Sequence, residues 1–255
     1  MGVPAEAREA IATLREVMLM PRDIGERVPT AKHGVHDVVV LVHGFLASAG
    51  VFRPLKKQLE RDAGTHVASF SHVPGASVPN IAFDLGNIVA KLPKDARVHI
   101  VGHSLGGVVA RYYVQELGGH TRVTQTIALA APFGGAPIAT RIPVFVGRDL
   151  HPKSQLLERI RARAAEHGVP HLSIAGTHDR TVPQAHALAF PHGEHVSLHG
   201  RGHNTLLFDE EATRLVVERI RYFSHRGEAA EQITRRDVSS SSSPPRAETA
   251  RDHRA

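Results

Sequence analysis

A serine lies between two glycines in the segment Gly102-His-Ser-Leu-Gly106. The apolar run before it, 98–101, is typical of a strand, and the run after it, 105–117, of a helix. The segment therefore predicts a sharp strand–turn–helix junction that holds the serine in a strained conformation with its hydroxyl in a pocket. The glycines remove side chains that would collide where strand and helix cross. This pattern predicts that Ser104 is a nucleophile.

A serine hydroxyl is a weak nucleophile at neutral pH, so it needs a base and a third group that orients the base. Two turn-rich loops, each directly after a strand pattern, supply these groups in the chain order Ser, Asp, His. We predict Asp179 as the orienting acid and His203 as the general base that later acts as an acid. The alternatives that stay open are Asp209 and Asp149 as the acid, and His199 and His195 as the base.

The negatively charged oxygen of a tetrahedral intermediate needs hydrogen-bond donors. The backbone N–H of Leu105 follows the nucleophile and opens the helix, so we predict it as one donor. The N–H of Phe45 is the expected second donor, because it lies in the loop His43-Gly-Phe-Leu46 directly after the strand pattern at 38–42. His43 is expected to organise this loop by hydrogen bonding rather than to transfer protons.

The elements that must position these residues alternate between strand and helix. Strands are predicted at 38–42, 66–70, 98–101, 126–130, 171–175 and 195–198, and helices at 4–20, 51–61, 81–92, 105–117, 155–167 and 210–223. This alternation predicts an α/β fold with a mostly parallel central sheet and helices on both faces. Every candidate residue follows a strand, at the end of the sheet where such folds bind ligands.

The chain divides into three parts. Residues 1–35 are predicted as an N-terminal helix and lead-in, with Ile11, Leu14, Val17 and Met18 sharing one helix face. Residues 36–225 are predicted as the catalytic domain. Residues 226–255 are expected to form a disordered tail, because the run Ser239–Ser243 and the two prolines after it cannot bury apolar area.

Composition narrows the functional classes. The 255 residues and the hydrophobic fraction of 42% suit one large domain. The chain has no cysteine, which excludes disulfides, thiolate catalysis and cysteine-based zinc sites. The net charge of +6 comes from scattered Lys and Arg, and no basic run alternates with aromatic residues, so no nucleic-acid partner is expected.

The first 20 residues contain no apolar core of a signal peptide, and no transmembrane segment is evident, so a cytoplasmic protein without stable membrane insertion is expected. A monomer is the default. No cofactor motif is present, and the spacing of His186, His192, His195 and His199 matches no zinc pattern. We therefore expect no cofactor and no metal.

The chain resembles the α/β-hydrolase superfamily and, within it, the bacterial lipases and esterases. The resemblance covers about residues 36 to 223 and rests on Leu41-Val-His-Gly-Phe45, Gly102-His-Ser-Leu-Gly-Gly107, Ala131-Pro-Phe-Gly-Gly135, Leu150-His-Pro-Lys-Ser-Gln-Leu-Leu157 and the loops of Asp179 and His203. It implies a small-molecule ester or lipid substrate that is cleaved through an acyl-enzyme. Acyl transfer, thioester cleavage or amide cleavage by the same residues remains an alternative, as does a binding protein without activity.

Two departures from this family bear on the substrate. Phe133 stands where these lipases often have histidine, and the stretch 137–150 is too short for a substantial lid. We therefore expect hydrolysis of soluble short- to medium-chain esters without an oil–water interface. The predicted acyl-pocket residues are Leu46, Phe133, Val144, Phe145 and Leu206. For Val144 and Phe145 a plain core position is an equal alternative, whereas Phe133 is favoured because it follows a strand.

Overall fold

In the part of the chain that the structure describes, the central sheet has six strands, all of them parallel. The computed structural model describes residues 3–22, 25–26, 28, 36–141 and 145–241, with side chains as far as 225. The strands are β1 (Asp37–Val42), β2 (His66–Ser69), β3 (Arg97–His103), β4 (Val123–Leu129), β5 (His171–Gly176) and β6 (Glu194–Leu198). Their spatial order is β2-β1-β3-β4-β5-β6. The predicted fold class, a parallel sheet with helices on both faces, is confirmed.

The helices are α1 (Ala5–Leu19), α2 (Arg53–Gln58), α3 (Val78–Ala90), α4 (Leu105–Glu116), α5 (Phe145–Asp149), α6 (Gln155–Ala162), α7 (Gln184–Ala187) and α8 (Glu210–Ser241). Single 3₁₀ turns occur at Ala49–Phe52, Gly119–Thr121, Pro137–Arg141 and Thr205–Leu207, and a π turn at Leu59–Ala63. Among the described residues, no helix combines the length and the apolarity that crossing a bilayer requires.

Helices cover both faces of the sheet, and each face has its own core. Val38 and Val40 of β1 face one core together with α3 and α4, whereas Val39 and Leu41 face the other together with α2 and α8. Successive residues of a strand point to opposite faces, so a strand buried on both sides must be apolar throughout. This explains the uninterrupted apolar run of β1, all of which is buried.

The carboxyl ends of the strands lie at one edge of the sheet because the pairing is in register. Val42 of β1 pairs with Gly102 of β3, and Gly176 of β5 pairs with Leu198 of β6. The loops that follow β1, β3, β5 and β6 carry Phe45, Ser104, Asp179 and His203, respectively. Four segments that are distant in sequence therefore meet at this edge.

The last helix is longer than its apolar pattern predicts. α8 runs to Ser241, whereas the pattern ends at Phe223 and the tail was expected from residue 226. The segment 226–236 contains Ala, Glu, Gln and Arg, which favour helix, and no proline interrupts it before Pro244. The expected tail therefore overlaps the helix as far as 241, and residues 242–255 lie outside the described part of the chain.

The amphipathic helix α1 is oriented with its apolar face outward. Ile11, Leu14, Val17 and Met18 are each more than half exposed, whereas Ala12 and Glu16 are buried. The four apolar residues do share a face, as their spacing predicts, but that face does not contact the core. The polar face of α1 makes the contacts instead, and these contacts are with loops at the carboxyl edge of the sheet.

Candidate active site

Ser104 occupies the junction between β3 and α4 with an unusual backbone conformation. Its φ is +52° and its ψ is −121°, in a region that non-glycine residues seldom adopt. The Ser104 N–H donates to the carbonyl of Leu129 at 2.8 Å, which ties the turn to β4. A Cβ on Gly106 would collide with the Val42 carbonyl, and a Cβ on Gly102 with the backbone of Gly106. The close crossing that exposes Ser104 therefore requires both glycines.

His203 and Asp179 form a buried pair. His203 Nδ1 lies 2.8 Å from Asp179 Oδ2, and both residues are almost fully buried. The other carboxylate oxygen, Oδ1, accepts hydrogen bonds from the N–H groups of Thr181 and Val182 at 2.9 and 2.7 Å. The carboxylate is therefore fixed in position, and it favours the histidine tautomer with a proton on Nδ1 and a free lone pair on Nε2.

Ser104 and His203 line the same cavity, which has a volume of about 210 Å³. Its other lining residues are Glu16, Gly44, Phe45, His103, Pro132, Ala136, Ile138, Ala139, Val146, Leu150, Thr181, Val182 and Asn204. Among the described residues, none makes a hydrogen bond with the Ser104 hydroxyl. The hydroxyl is therefore available to His203 or to a bound molecule. A serine, an oriented imidazole and an apolar cavity together suit nucleophilic attack on a carbonyl carbon.

The amides of Phe45 and Leu105 lie beside Ser104. Leu105 follows it directly, and the loop of Phe45 approaches so closely that a Cβ on Gly44 would lie 3.2 Å from the Cβ of Ser104. Within the described part of the chain, neither amide donates to a backbone carbonyl. Both N–H groups are therefore available for an oxyanion.

A stacked pair of histidines holds the Phe45 loop. The rings of His43 and His72 are 3.8 Å apart. His43 Nδ1 donates to the carbonyl of Gly44 at 2.8 Å, while its Nε2 accepts from the N–H of His72 at 3.1 Å. Burial, with the charge of His72 as a smaller cause, lowers the pKa of His43 to about 3. The imidazole is therefore neutral and serves to fix the loop.

His103 also contacts His203, which the sequence did not predict. The two rings are 4.8 Å apart, and His103 Nε2 donates to the His203 carbonyl at 3.2 Å. Burial, followed by the charge of His203, holds the pKa of His103 well below its ordinary value. His103 lies between Gly102 and Ser104 in the sequence. No local pattern predicts its contact with His203, because the two residues are 100 positions apart.

Helix α1 is the second feature that the sequence did not predict at this site. Glu9 accepts hydrogen bonds from the N–H of Asn204 at 2.7 Å, and from the N–H and hydroxyl of Thr205 at 2.9 and 2.7 Å. Thr13 accepts a hydrogen bond from the Asn204 side chain at 3.1 Å, and Glu16 lines the cavity. Glu9, Thr13 and Glu16 have the i, i+4, i+7 spacing of one helix face, which is the signal that could have revealed them.

None of the predicted acyl-pocket residues that the structure describes lines the cavity with Ser104. Phe133 is fully buried and packs against Phe190 and His171, with ring centroids 5.0 and 5.4 Å away. The chain turns at Ala130, whose φ is +52°, and this turn precedes the burial of Phe133 in the core. Leu206 is buried in the core beside α8, Leu46 and Phe145 are exposed, and Val144 lies outside the described residues.

The small residues Ala136 and Ala139 line the cavity where larger side chains were expected, together with Ile138, Val146 and Leu150. All five belong to the segment between β4 and α6. Within this segment, the described residues that line the cavity are therefore neighbours of Phe133 and Phe145, and these two residues are not among them.

The alternative acids and bases are engaged elsewhere. Asp149 accepts from the N–H of Val78 at 2.7 Å, and Asp209 pairs with Arg201 at 2.7 Å. His195 Nε2 donates to the carbonyl of Phe190 at 2.8 Å. His199, the other alternative base, lies outside the cavity and has its ring near that of His178. In the described ranges, no three His, Asp or Glu side chains converge as metal ligands would.

Comparisons with known proteins agree with this architecture. A family model described as alpha/beta hydrolase fold matches residues 37–145. The chain is similar in structure to a monoacylglycerol lipase of Paleococcus ferrophilus, with a TM-score of 0.61 and 19% identity over 73% of this chain and 94% of that one. It is also similar to the mature lipase BlEst2 of Bacillus licheniformis, with a TM-score of 0.62 and 14% identity over 77% and 96%.

A third similar structure is Est1E of Butyrivibrio proteoclasticus, with a TM-score of 0.56 and 15% identity over 80% of this chain and 93% of that one. At such identities the likeness is one of fold. The parallel sheet, the strand–turn–helix junction at Ser104 and the matching family model are consistent with one another. The chain therefore has the α/β-hydrolase fold.

Proposed function

We propose that this protein hydrolyses small carboxylic esters through an acyl-enzyme on Ser104. One observation carries the proposal: Ser104, on a strained turn, shares a cavity with His203, and His203 bonds to the buried Asp179. This is the arrangement that serine hydrolysis requires, a nucleophile with a base whose orientation is fixed by an acid. The fold similarity to lipases supports a hydrolytic reaction.

In the first half of the reaction, the Ser104 oxygen attacks the ester carbonyl carbon and His203 Nε2 takes the hydroxyl proton. The amides of Phe45 and Leu105 donate to the oxyanion of the tetrahedral intermediate. Asp179 stabilises the imidazolium that forms. The intermediate collapses, the bond to the alcohol oxygen breaks, and His203 gives its proton to the departing alcohol.

In the second half, a water molecule attacks the acyl carbon and gives a proton to His203. The second tetrahedral intermediate releases the carboxylic acid, and the proton returns to Ser104. No cofactor enters this scheme. The cavity of about 210 Å³ is smaller than the roughly 300–1,000 Å³ that drug-sized ligands occupy, so we propose short acyl chains.

The test compares the protein with Ser104→Ala on p-nitrophenyl butyrate. We expect a burst of p-nitrophenol from the unaltered protein and a fall in kcat of about 10⁴-fold or more in the variant. Ser77→Ala is the matched control, because Ser77 caps α3 by accepting from the N–H of Asn80 and lies outside the site. A serine-directed fluorophosphonate should label Ser104 alone. Equal turnover by protein and Ser104→Ala variant would refute the proposal.

A further inference from the structure

Among the residues that the structure describes, one acidic side chain lies in the wall of the catalytic cavity. Glu16 of α1 is only 8% exposed, and it lines the cavity together with Ser104 and His203. Most of the remaining wall is apolar, and the residues that make it so are Phe45, Pro132, Ala136, Ile138, Ala139, Val146, Leu150 and Val182. A carboxylate in such surroundings is unusual, because buried charges are normally paired.

The Glu16 carboxylate has no such pairing. Among the described residues, no side chain or amide donates a hydrogen bond to it, and no Lys or Arg lines this cavity. His203 lines the same cavity, but its Nδ1 already bonds to Asp179. Burial raises the pKa of Glu16, the charge of His203 opposes that rise, and Glu9 adds to it. The described residues of this cavity therefore offer no Lys or Arg partner for this carboxylate.

We propose that Glu16 makes this cavity selective for esters that carry an ammonium group, which the carboxylate binds while the ester lies at Ser104. The proposal rests on the proposed function and names the substrate class for the same site. An ammonium group would supply the missing partner and relieve the cost of the buried charge. An anionic ester would face repulsion from the same carboxylate. The size of the cavity limits the class to small esters.

The decisive measurement is the ratio of kcat/KM for charged and uncharged substrates of equal shape. Acetylcholine is paired with 3,3-dimethylbutyl acetate, which replaces the nitrogen by carbon on the alcohol side. Ethyl 4-aminobutanoate is paired with ethyl pentanoate, which does the same on the acyl side. In the unaltered protein we expect one of the two pairs to favour the cation by roughly tenfold or more, because the Glu16 carboxylate attracts its positive charge.

Three variants test whether Glu16 causes the preference for the cation. Glu16→Gln keeps the shape of the side chain without its charge, and the ratio should fall to about one. Glu6→Gln removes the same charge from an exposed position of the same helix, where Glu6 pairs with Arg180, and it should leave the ratio unchanged. Glu16→Asp keeps the charge and should retain a preference for the cation even if overall turnover drops.

The outcomes separate the two proposals. If p-nitrophenyl butyrate is hydrolysed but neither pair shows a preference for the cation, the inference about Glu16 is overturned and the ester hydrolase stands. The same holds if the preference survives Glu16→Gln. If no ester is hydrolysed and fluorophosphonate does not label Ser104, the proposed function fails and the inference fails with it.

Discussion

At the scale of single residues, the backbone of Ser104 concentrates strain at the site. A non-glycine residue in such a conformation costs on the order of 1–3 kcal/mol and persists only where its surroundings enforce it. Here the enforcing contacts are the hydrogen bond from Ser104 to Leu129 and the glycine crossing of Gly102 and Gly106. Because the strain orients the hydroxyl before any substrate arrives, the turn reduces the reorganisation that attack on a carbonyl would need.

His203 is held by contacts from three directions. Asp179 bonds to its ring, His103 donates to its carbonyl, and Glu9 accepts from the amides of Asn204 and Thr205 that follow it. In the proposed reaction this imidazole accepts and then returns a proton, so it has to keep its position through both steps. This loop is therefore fixed by side chains from β3, from the loop after β5 and from α1.

Replacing Asp179 by asparagine tests the orienting role. The amide oxygen of the new side chain could still accept from the N–H groups of Thr181 and Val182, but its NH₂ group would face His203 Nδ1 and favour the wrong tautomer. We expect Asp179→Asn to lower kcat for p-nitrophenyl butyrate by about 10³–10⁴-fold with little change in melting temperature. Steady-state kinetics and thermal unfolding measure the two effects.

Asp209→Asn is the matched control for this substitution. Asp209 accepts from the amides of Glu211 and Ala212 at the start of α8, and asparagine retains that capping ability. Its kcat should stay within a few-fold of the unaltered protein. The opposite pattern, a silent Asp179→Asn and an inactive Asp209→Asn, would assign the acid to Asp209.

At the scale of elements, α1 shows how specific polar contacts determine the orientation of a helix. Its apolar residues suggest a core-facing stripe, yet Glu9, Thr13 and Glu16 contact the site and Leu14 faces outward. Glu9 alone accepts three hydrogen bonds, two of them from backbone amides that would otherwise be unpaired. These contacts require the polar face to point inward.

Truncating Leu14 tests this orientation. Leu14 is 62% exposed, so Leu14→Ala should change the free energy of unfolding by less than about 0.5 kcal/mol. Leu85→Ala is the matched control on α3, where the same side chain is fully buried, and it should cost about 2–5 kcal/mol. Urea unfolding measures both. A loss of similar size in the two variants would mean that the apolar face of α1 packs inward.

Local sequence patterns were enough to predict the fold and the loops that carry the candidate site residues. The strand runs, the glycine–serine junction and the loops of Asp179 and His203 are each encoded within about ten consecutive residues, so periodicity and turn composition were enough to predict the parallel sheet. The cavity wall was not predictable in this way. The burial of Phe133 depends on Phe190 and His171, and the position of Glu16 depends on Asn204 and Thr205 contacting α1. These partners lie far away in sequence.

At the scale of the whole molecule, the protein buries several neutral histidines. Burial lowers the pKa of His43 to about 3 and holds those of His103 and His171 well below the ordinary value. His171 uses both ring nitrogens within the core, at 2.7 Å from the Thr126 hydroxyl and 3.0 Å from that of Ser173. Protonation of any of these rings would place a charge in the core, and in His43 it would also disturb the hydrogen bond that Nε2 accepts from the N–H of His72.

The stability of the protein should therefore fall as the solution becomes acidic. Below pH 6.5 the unfolded chain binds protons at these histidines and the folded protein does not. Proton binding therefore stabilises the unfolded state relative to the folded state. Above pH 6.5 these histidines cost no stability. As the pH falls below 6.5, each of them should lower the free energy of unfolding by about 1.4 kcal/mol per pH unit. Urea unfolding at several pH values from 7.5 down to 4.5 measures the slope.

Two variants test how much of this pH dependence comes from His43. His43→Gln removes one buried imidazole and should flatten the dependence by about one group, although it also removes a contact that holds the Phe45 loop. His66→Gln, at an exposed position at the start of β2, is the control, because it removes no buried imidazole. A stability that stays level or rises between pH 6.5 and 4.5 would contradict the neutral state of these rings.

Glu9 and Glu16 are seven residues apart on α1, which is about 10.5 Å along the helix axis. Glu9 bonds to the amides that follow His203, and Glu16 lies in the wall of the cavity. The length of an α-helix is nearly constant, so any shift of α1 along its axis would move these two side chains by the same amount. Under the proposed function, α1 would therefore link substrate binding mechanically to proton transfer by His203.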